Sequence, residues 1–337
     1  MNRGWISALM LACSLLAAGT AAAQDAPAPP AATEPVSFDQ WLARLKQDAA
    51  EQGIRPAVLE AAFVGVQPLA RVIELDRRQP EGTITFAQYV KNIVTPKRVA
   101  DGKKLLREHK ALLTAVAKKY DVPPRFLVAL LGIETNYGRV TGNYRVVDAL
   151  ATLAYDGRRA AYFRKELLAA LTILDHHNLA PDTLKGSWAG AMGQDQFMPT
   201  AYLKYAQDWD GDGRPDLWKS QGDVFASAAN YLSTVGWNSS LNWGREVKLP
   251  AGGHVAGEAS LDPAKGRKLA DWHRLGVRRS DGKPLPKGDH PAWLVLPDGP
   301  SGRAFLVYEN FRTVMDWNRS TYFATTVGLL ADRIGEG

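Results

Sequence analysis

The chain has 337 residues, 46% of them hydrophobic and 23% charged, with a formal net charge of +6. Mixed charge and 10 Trp, 11 Tyr and 10 Phe describe a globular protein and exclude collagen-like, coiled-coil and wholly disordered chains. One cysteine, Cys13, excludes an internal disulfide framework and any cysteine-ligated zinc or iron–sulfur centre, and six histidines without an H-E-x-x-H pattern argue against a zinc hydrolase.

Residues 1–23 read as an export signal. Arg3 gives a positive start, Ile6 to Ala18 an apolar run, and Ala21-Ala22-Ala23 a small-residue cleavage site before Gln24. The run is shorter than the roughly 20 apolar residues of a membrane span. Met10-Leu11-Ala12 ahead of Cys13 is a poor lipobox, so a soluble periplasmic product cut after Ala23 is expected rather than a lipid-anchored one. The mature chain keeps a mild positive excess, which suits an anionic polymer such as the cell wall. No Lys/Arg-rich block or aromatic RNP-type run supports nucleic acid.

Residues 24–36 form a Pro/Ala-rich linker, and residues 37–337 are expected to fold as one catalytic domain. Ser37 is placed to cap a helix striped by Phe38, Trp41, Leu42 and Leu45, and a second helix follows Pro56. A third is expected near Leu105 to Tyr120, with Leu105, Leu106, His109, Leu112, Leu113 and Val116 on one side. Pro123-Pro124 starts another, and further helices are predicted at Tyr162 to His177, Asp223 to Val235 and, closing the chain, Thr313 to Asp332. Between about 243 and 312, Gly/Pro punctuation separates short apolar runs such as Trp293-Leu294-Val295-Leu296 and Ala304-Phe305-Leu306-Val307-Tyr308. Those are strand signals, so the expected fold class is mainly α (α+β) with a small β-rich subdomain near the C-terminal end.

Val122 to Arg139 carries the sharpest chemical feature. Leu127, Leu130, Leu131 and Glu134 fall at i, i+3, i+4 and i+7, so Glu134 shares the core-facing stripe of a helix. Gly138 is expected to supply the left-handed residue that ends the helix, which puts Glu134 in its last turn. Partial burial and the negative end of the helix dipole both raise a carboxyl's pKa, as a general acid at a glycosidic bond requires. The plainer reading is a glutamate paired with Arg139 or another base.

Two loops follow. Residues 186–200 read G-S-W-A-G-A-M-G-Q-D-Q-F-M-P-T: Gly186, Gly190 and Gly193 allow close backbone approach, and Ser187, Gln194 and Gln196 offer neutral hydrogen bonds beside Trp188 and Met192. Neutral donors beside flat apolar surface suit a sugar; a tight helix connection is the plainer alternative and the preferred one for Phe197 and Met198. Asp195 has no evident role there. In residues 208–219, Asp208, Asp210 and Asp212 take positions 1, 3 and 5 of a calcium loop, Gly213 position 6, the Arg214 carbonyl position 7 and Asp216 position 9. Lys219 stands where a bidentate Glu belongs, and Asp223 is the candidate to fold back in its place. A structural calcium is the one cofactor this pattern raises.

Taken together, G-I-E-T-N-Y-G-R, G-S-W-A-G-A-M-G-Q-x-Q-F-M-P, Y-A-x-D-x-D-G-D-G, A-N-Y-L at 229–232 and W-N-R-S-T-Y-F-A at 317–324 make the chain resemble the lytic murein transglycosylase B family over essentially everything after residue 37. The resemblance implies a lysozyme-like helical core with an added α region and a β subdomain. It implies cleavage of the β-1,4 bond between N-acetylmuramic acid and N-acetylglucosamine of peptidoglycan, leaving 1,6-anhydromuramic acid ends, with Glu134 as sole acid/base and no cofactor in the chemistry. Ser187 would orient the substrate acetamido group. Tyr89, Gln196, Tyr231, Asn318 and Met192 match cleft residues, and Arg158 and Arg159 match a basic pair that meets substrate carboxylates; as plain structure, Tyr89 and Tyr231 are core and the arginines a solvated helix start. Peptidoglycan glycan strands are the implied partner, cell-wall synthesis or division proteins the implied protein partners, and a monomer the expected state. The alternatives are a muramidase using water at the same bond, and a wall-binding scaffold without turnover.

Overall fold

Ser37 opens the fold as its sequence context predicts. Its hydroxyl accepts from the Gln40 N–H and the Gln40 side chain accepts from the Ser37 N–H, a reciprocal cap on the helix Phe38–Glu51. The computed structural model describes residues 36–78, 84–252 and 254–336; the export signal and almost all of the Pro/Ala-rich linker lie outside the described residues. No helix among the described residues is long and apolar enough to cross a membrane.

Helices dominate, and fourteen α-helices occur among the described residues. The expected helices at Pro56–Ala62, Pro124–Thr135, Ala160–His176 and Gln221–Thr234 are present, each within a few residues of its predicted span. Two expected single helices are each broken in two. The Leu105 to Tyr120 stripe spans the helices Pro96–Glu108 and Lys110–Tyr120, which meet at His109, where φ is −105° and ψ 23°. The closing segment is Glu309–Trp317 followed by Thr321–Gly335, with Asn318 extended and the Ser320 hydroxyl capping the second helix through the Phe323 N–H. Neither break carries Gly or Pro, which explains why periodicity ran through both. The second break has a consequence for the site: it ends a helix at Trp317.

The β-rich segment forms a five-stranded antiparallel sheet in the order Arg267–Lys268, Pro291–Val295, Ala304–Val307, Gly244–Lys248 and Arg278–Arg279. Alternation of side chains along the two central strands gives the sheet two different apolar faces. Trp293, Val295, Phe305 and Val307 pack into the helical core with Phe126, Phe311 and Val327. Ala292, Leu294, Ala304 and Leu306 face the other way, onto Leu269, Trp272 and Val277. The fold is therefore mainly helical with a small β subdomain that shares one face with the helical core. A second helical cluster, built from Phe38, Leu45, Val147, Leu150, Phe163 and Leu171, carries the Gly-rich loop through Trp188, Met192 and Phe197.

Candidate active site

The helix Pro124–Thr135 is buried along most of its length, and Glu134 stands in its last turn. The helix ends as expected, but not at the expected residue. Asn136 is the left-handed cap at φ 52°, and Tyr137 and Gly138 continue in the same region at φ 61° and 77°. Only Gly138 is there without steric cost. A Cβ at Gly138 would collide with the Gln194 side chain, so that glycine sets how closely the acid helix and the Gly-rich loop approach. Thr135 ties the same two segments, its hydroxyl donating to the Gln194 carbonyl at 3.0 Å.

The Glu134 carboxyl is divided between two environments. Oε1 accepts the Trp317 indole N–H at 2.8 Å, while Oε2 is sealed from solvent without a hydrogen-bond partner. Burial pushes the Glu134 pKa up to about 8, and the indole N–H, which favours the anion, only partly opposes that rise. Arg139 does not neutralise it, because its guanidinium pairs with Asp101 at 2.7 Å. Trp317 is held from behind by Tyr231 and Phe197, with ring centroids 4.8 Å apart for Tyr231–Trp317 and 5.1 Å for Phe197–Trp317, and Tyr231 packs in turn on Tyr205 at 4.5 Å. Tyr231 is fixed in turn through its hydroxyl on the Asp316 carbonyl at 2.7 Å.

A groove of about 410 Å³ opens beside this carboxyl, lined by Tyr89, Arg98, Glu134, Asn136, Arg139, Tyr144, Ser187, Trp188 and Gln196 among others. Glu134 is the one carboxyl among the described residues that line it. The Ser187 Oγ accepts from the Ala191 N–H at 3.1 Å, leaving its own proton available to donate. Gln196 takes a left-handed backbone at φ 52° and spends its amide N–H groups on the carbonyls of Thr141 and Gly193, presenting a fixed side chain at the wall. Tyr89 is buried with its edge at the groove, and burial and the Glu134 charge both raise its hydroxyl's pKa against the opposing pull of Arg98.

The structure thus brings together Glu134, Ser187, Gln196 and Tyr89. It places the other residues singled out in the sequence elsewhere. Met192 is fully buried, bridging backbone to Gly186 and Phe197. Tyr231 braces Trp317, and Asn318 accepts the Ser320 N–H at 3.2 Å at the helix break; neither lines the groove. Trp317, which donates to the acid, was singled out by no spacing argument, since it lies 183 residues away along the chain.

Arg158 and Arg159 also lie outside the groove lining. Both engage Asp76, which is 1% exposed: Arg158 Nε donates at 2.7 Å and Arg159 Nη2 at 2.6 Å. Burial alone would raise the Asp76 pKa, and the two guanidiniums outweigh it and hold the carboxyl below its ordinary value. Asp76→Ala strands a partly buried Arg159 and is expected to cost about 2 kcal/mol, less than a fully buried pair because Arg158 is half exposed. Chemical denaturation at pH 7 measures it.

Asp195 acquires a location, if not an obvious task. It is 2% exposed, its Oδ2 is sealed and unpartnered, and burial followed by the Glu134 charge raises its pKa well above the ordinary value. It lies behind the wall and not among the groove-lining residues, so it is not poised to activate water there.

In the acidic loop, Asp208, Asp210 and Asp212 each offer a carboxylate oxygen, all within 4.8 Å of one another and all exposed. Asp208 also accepts the N–H groups of Gly211 at 2.7 Å and Gly213 at 2.9 Å. Asp223 does not fold into the loop interior. It is buried, and its two oxygens accept the Trp209 and Asp216 N–H groups at 2.8 and 2.6 Å, so it fastens the loop's base. Asp216 accepts the Trp218 and Lys219 N–H groups. Three carboxylates therefore fit a divalent cation, and the bidentate one that completes a tight calcium loop is missing.

Comparison with known proteins identifies the family and the fold. The profile of the family described as Transglycosylase SLT domain matches residues 37–332. The membrane-bound lytic murein transglycosylase B of Escherichia coli K12 is 34% identical over 250 residues, 74% of this chain and 67% of that protein. Among solved structures, SltB3 of Pseudomonas aeruginosa, in complex with NAG-anhNAM-pentapeptide, superposes with a TM-score of 0.85 at 44% identity, covering 89% of this chain and 80% of that one. The E. coli lytic transglycosylase Slt35, in complex with calcium, gives 0.72 at 30% identity, covering 88% and 92%.

Proposed function

Because the chain belongs to the transglycosylase SLT domain family and is a lytic murein transglycosylase, we propose that it cuts the β-1,4 bond between N-acetylmuramic acid and N-acetylglucosamine and closes a 1,6-anhydromuramic acid end. The observation that carries this reading is the dry, proton-holding Glu134 carboxyl, unaccompanied by a second carboxyl among the described residues of the groove. Ordinary retaining and inverting glycosidases need two carboxyls, one of them as nucleophile or to activate water. With one, the substrate must supply the rest.

Glu134 donates its proton to the glycosidic oxygen as the C1–O bond breaks, and the substrate's own acetamido oxygen stabilises C1. The Ser187 hydroxyl, whose Oγ is already anchored on Ala191, orients that acetamido group. The muramyl C6 hydroxyl then attacks C1 and its proton returns to Glu134. No water is consumed, and the carboxyl ends as it began. Trp317 serves the half of the cycle in which Glu134 is an anion, since its N–H is a neutral donor already aimed at that carboxylate.

The test is purified protein on isolated sacculi with mass analysis of the released muropeptides. Products lighter by one water than the hydrolysed ones support the transglycosylase reading. Hydrated products support a muramidase, and retained binding without release supports a wall-binding scaffold. The export pattern of residues 1–23 supports a periplasmic location.

For the acidic loop we propose a weak structural calcium site on Asp208, Asp210 and Asp212, with the Arg214 carbonyl and Asp216 as the remaining loop positions. Affinity of about 10⁻⁴–10⁻³ M is expected of such an incomplete set. Lys219→Glu restores the missing carboxylate and is expected to tighten calcium binding at least about tenfold, read by calorimetry and by the calcium dependence of Tm. Equal affinity of the two proteins would exclude the site.

A further inference from the structure

Arg98 has no counter-ion of its own. It belongs to the helix Pro96–Glu108, is 7% exposed and lines the groove alongside Tyr89, Ile93 and Glu134. Its Nη1 donates to the Ile93 carbonyl at 2.5 Å, whereas its Nε is sealed with no acceptor. Among the described residues no carboxylate pairs with it. The charged group nearest in effect, Asp101, is already engaged by Lys97 at 2.9 Å and Arg139 at 2.7 Å. Asp101 is thus taken by Lys97 and Arg139, and neither it nor Lys97 lines the groove. Glu134 contributes no compensating charge while it holds its proton, and Tyr137 spends its hydroxyl on the Arg98 carbonyl at 2.6 Å.

A desolvated guanidinium without an anion is costly, and burial does pull the Arg98 proton affinity down. With Nη1 on the Ile93 carbonyl and Nε sealed, Nη2 is the donor left for a ligand, and its positive charge favours a carboxylate over a sugar hydroxyl. An apolar residue would fill the same place at less cost unless an anion arrives with the ligand.

We infer that Arg98, with Arg139 at the groove wall, is a binding site for a carboxylate of the substrate, so that the groove selects glycan strands bearing carboxylates over neutral glycan. This rests on the peptidoglycan reading above, where two sources of that group exist: the lactyl carboxylate of a muramyl residue freed of its peptide, and the carboxylates of the peptide stem.

The experiment measures equilibrium binding to the full chain carrying Glu134→Gln, which removes turnover. Three probes of matched length are used: a neutral N-acetylglucosamine oligomer, a muramyl glycan with free lactyl carboxylates, and the same glycan carrying peptide stems. Arg98→Gln is expected to weaken binding of a carboxylate-bearing probe by about tenfold or more, with the neutral oligomer changed less than about twofold and Arg98→Lys giving partial rescue. Which probe suffers identifies the source. Equal losses on all three, or none on any, would overturn the assignment. Should Arg98→Gln fail to fold, the protein with Arg98 intact still decides: it must bind one carboxylate-bearing glycan about tenfold more tightly than the neutral one, and equal binding refutes the site. Failure of the peptidoglycan reading would look different, as binding without any released muropeptide from sacculi.

Discussion

Glu134→Gln is expected to reduce the rate of muropeptide release by at least about 10²–10⁴-fold, the usual contribution of a positioned acid–base group. Glutamine keeps the shape of the side chain and an oxygen for the Trp317 indole, so the groove and its bracing aromatics stay in place. What disappears is the proton delivered to the leaving oxygen and the base that receives one from the C6 hydroxyl. No described groove-lining residue offers a second carboxyl to take over, and Asp195, though close enough for its titration to feel the Glu134 charge, is sealed behind the wall. Binding of glycan should be retained. Initial rates on sacculi together with a binding measurement check both halves. A loss below about tenfold would mean that another group supplies the proton.

The same substitution should make the folded protein more stable, and increasingly so as pH rises. A carboxyl with a folded-state pKa of about 8 against an ordinary 4.5 keeps its proton when folded and loses it when unfolded. Between those values the native state binds more protons than the unfolded one, so this group makes stability fall as pH rises through that window and level off above about 8. Glutamine carries no such penalty. The gap between variant and wild type should be small near pH 4.5 and should grow until about pH 8. Its plateau is on the order of 5 kcal/mol, because a proton held across each further pH unit is worth about 1.4 kcal/mol. Asp195, whose pKa is raised by the same burial, adds a fall of the same sign in the wild type. Urea denaturation of both proteins across the range from acid to mildly alkaline pH reads the gap; a gap independent of pH would show that Glu134 ionises normally in the fold. Lost activity and gained stability at one position reflect a common cause, a carboxyl kept where its charge is unwelcome.

Much of the site was legible because local rules and long-range packing agree there. The Leu127–Leu130–Leu131–Glu134 stripe is a helix-face pattern with one polar member, and a polar residue on an apolar stripe is buried wherever the stripe goes. The Ser37 cap and the sheet alternation Trp293/Val295 against Ala292/Leu294 were readable for similar reasons. What escaped the sequence was set by partners far along the chain. Nothing near Trp317 says that its indole reaches Glu134, and nothing near Arg158 and Arg159 announces Asp76, 82 and 83 residues before them. The helix breaks at His109 and Asn318 lack Gly or Pro, and are fixed by packing against the core. Asn136 takes the left-handed cap expected of Gly138, because the chain must turn at once for Tyr137 to reach the Arg98 carbonyl at 2.6 Å. Asp195 stands out in the loop sequence as a charge without a role, and its burial with a sealed, unpartnered oxygen emerges only from the packing around it.

The most direct test of the account is the pH dependence of kcat/KM on a defined glycan, which reports the ionisation of the free enzyme's acid. Glu134 dry and protonated predicts activity sustained through neutrality with a falling limb near pH 8, and with Trp317→Phe that limb should move to higher pH because a donor favouring the anion has gone. A limb near 4.5, the value of an ordinary exposed carboxyl, would contradict it.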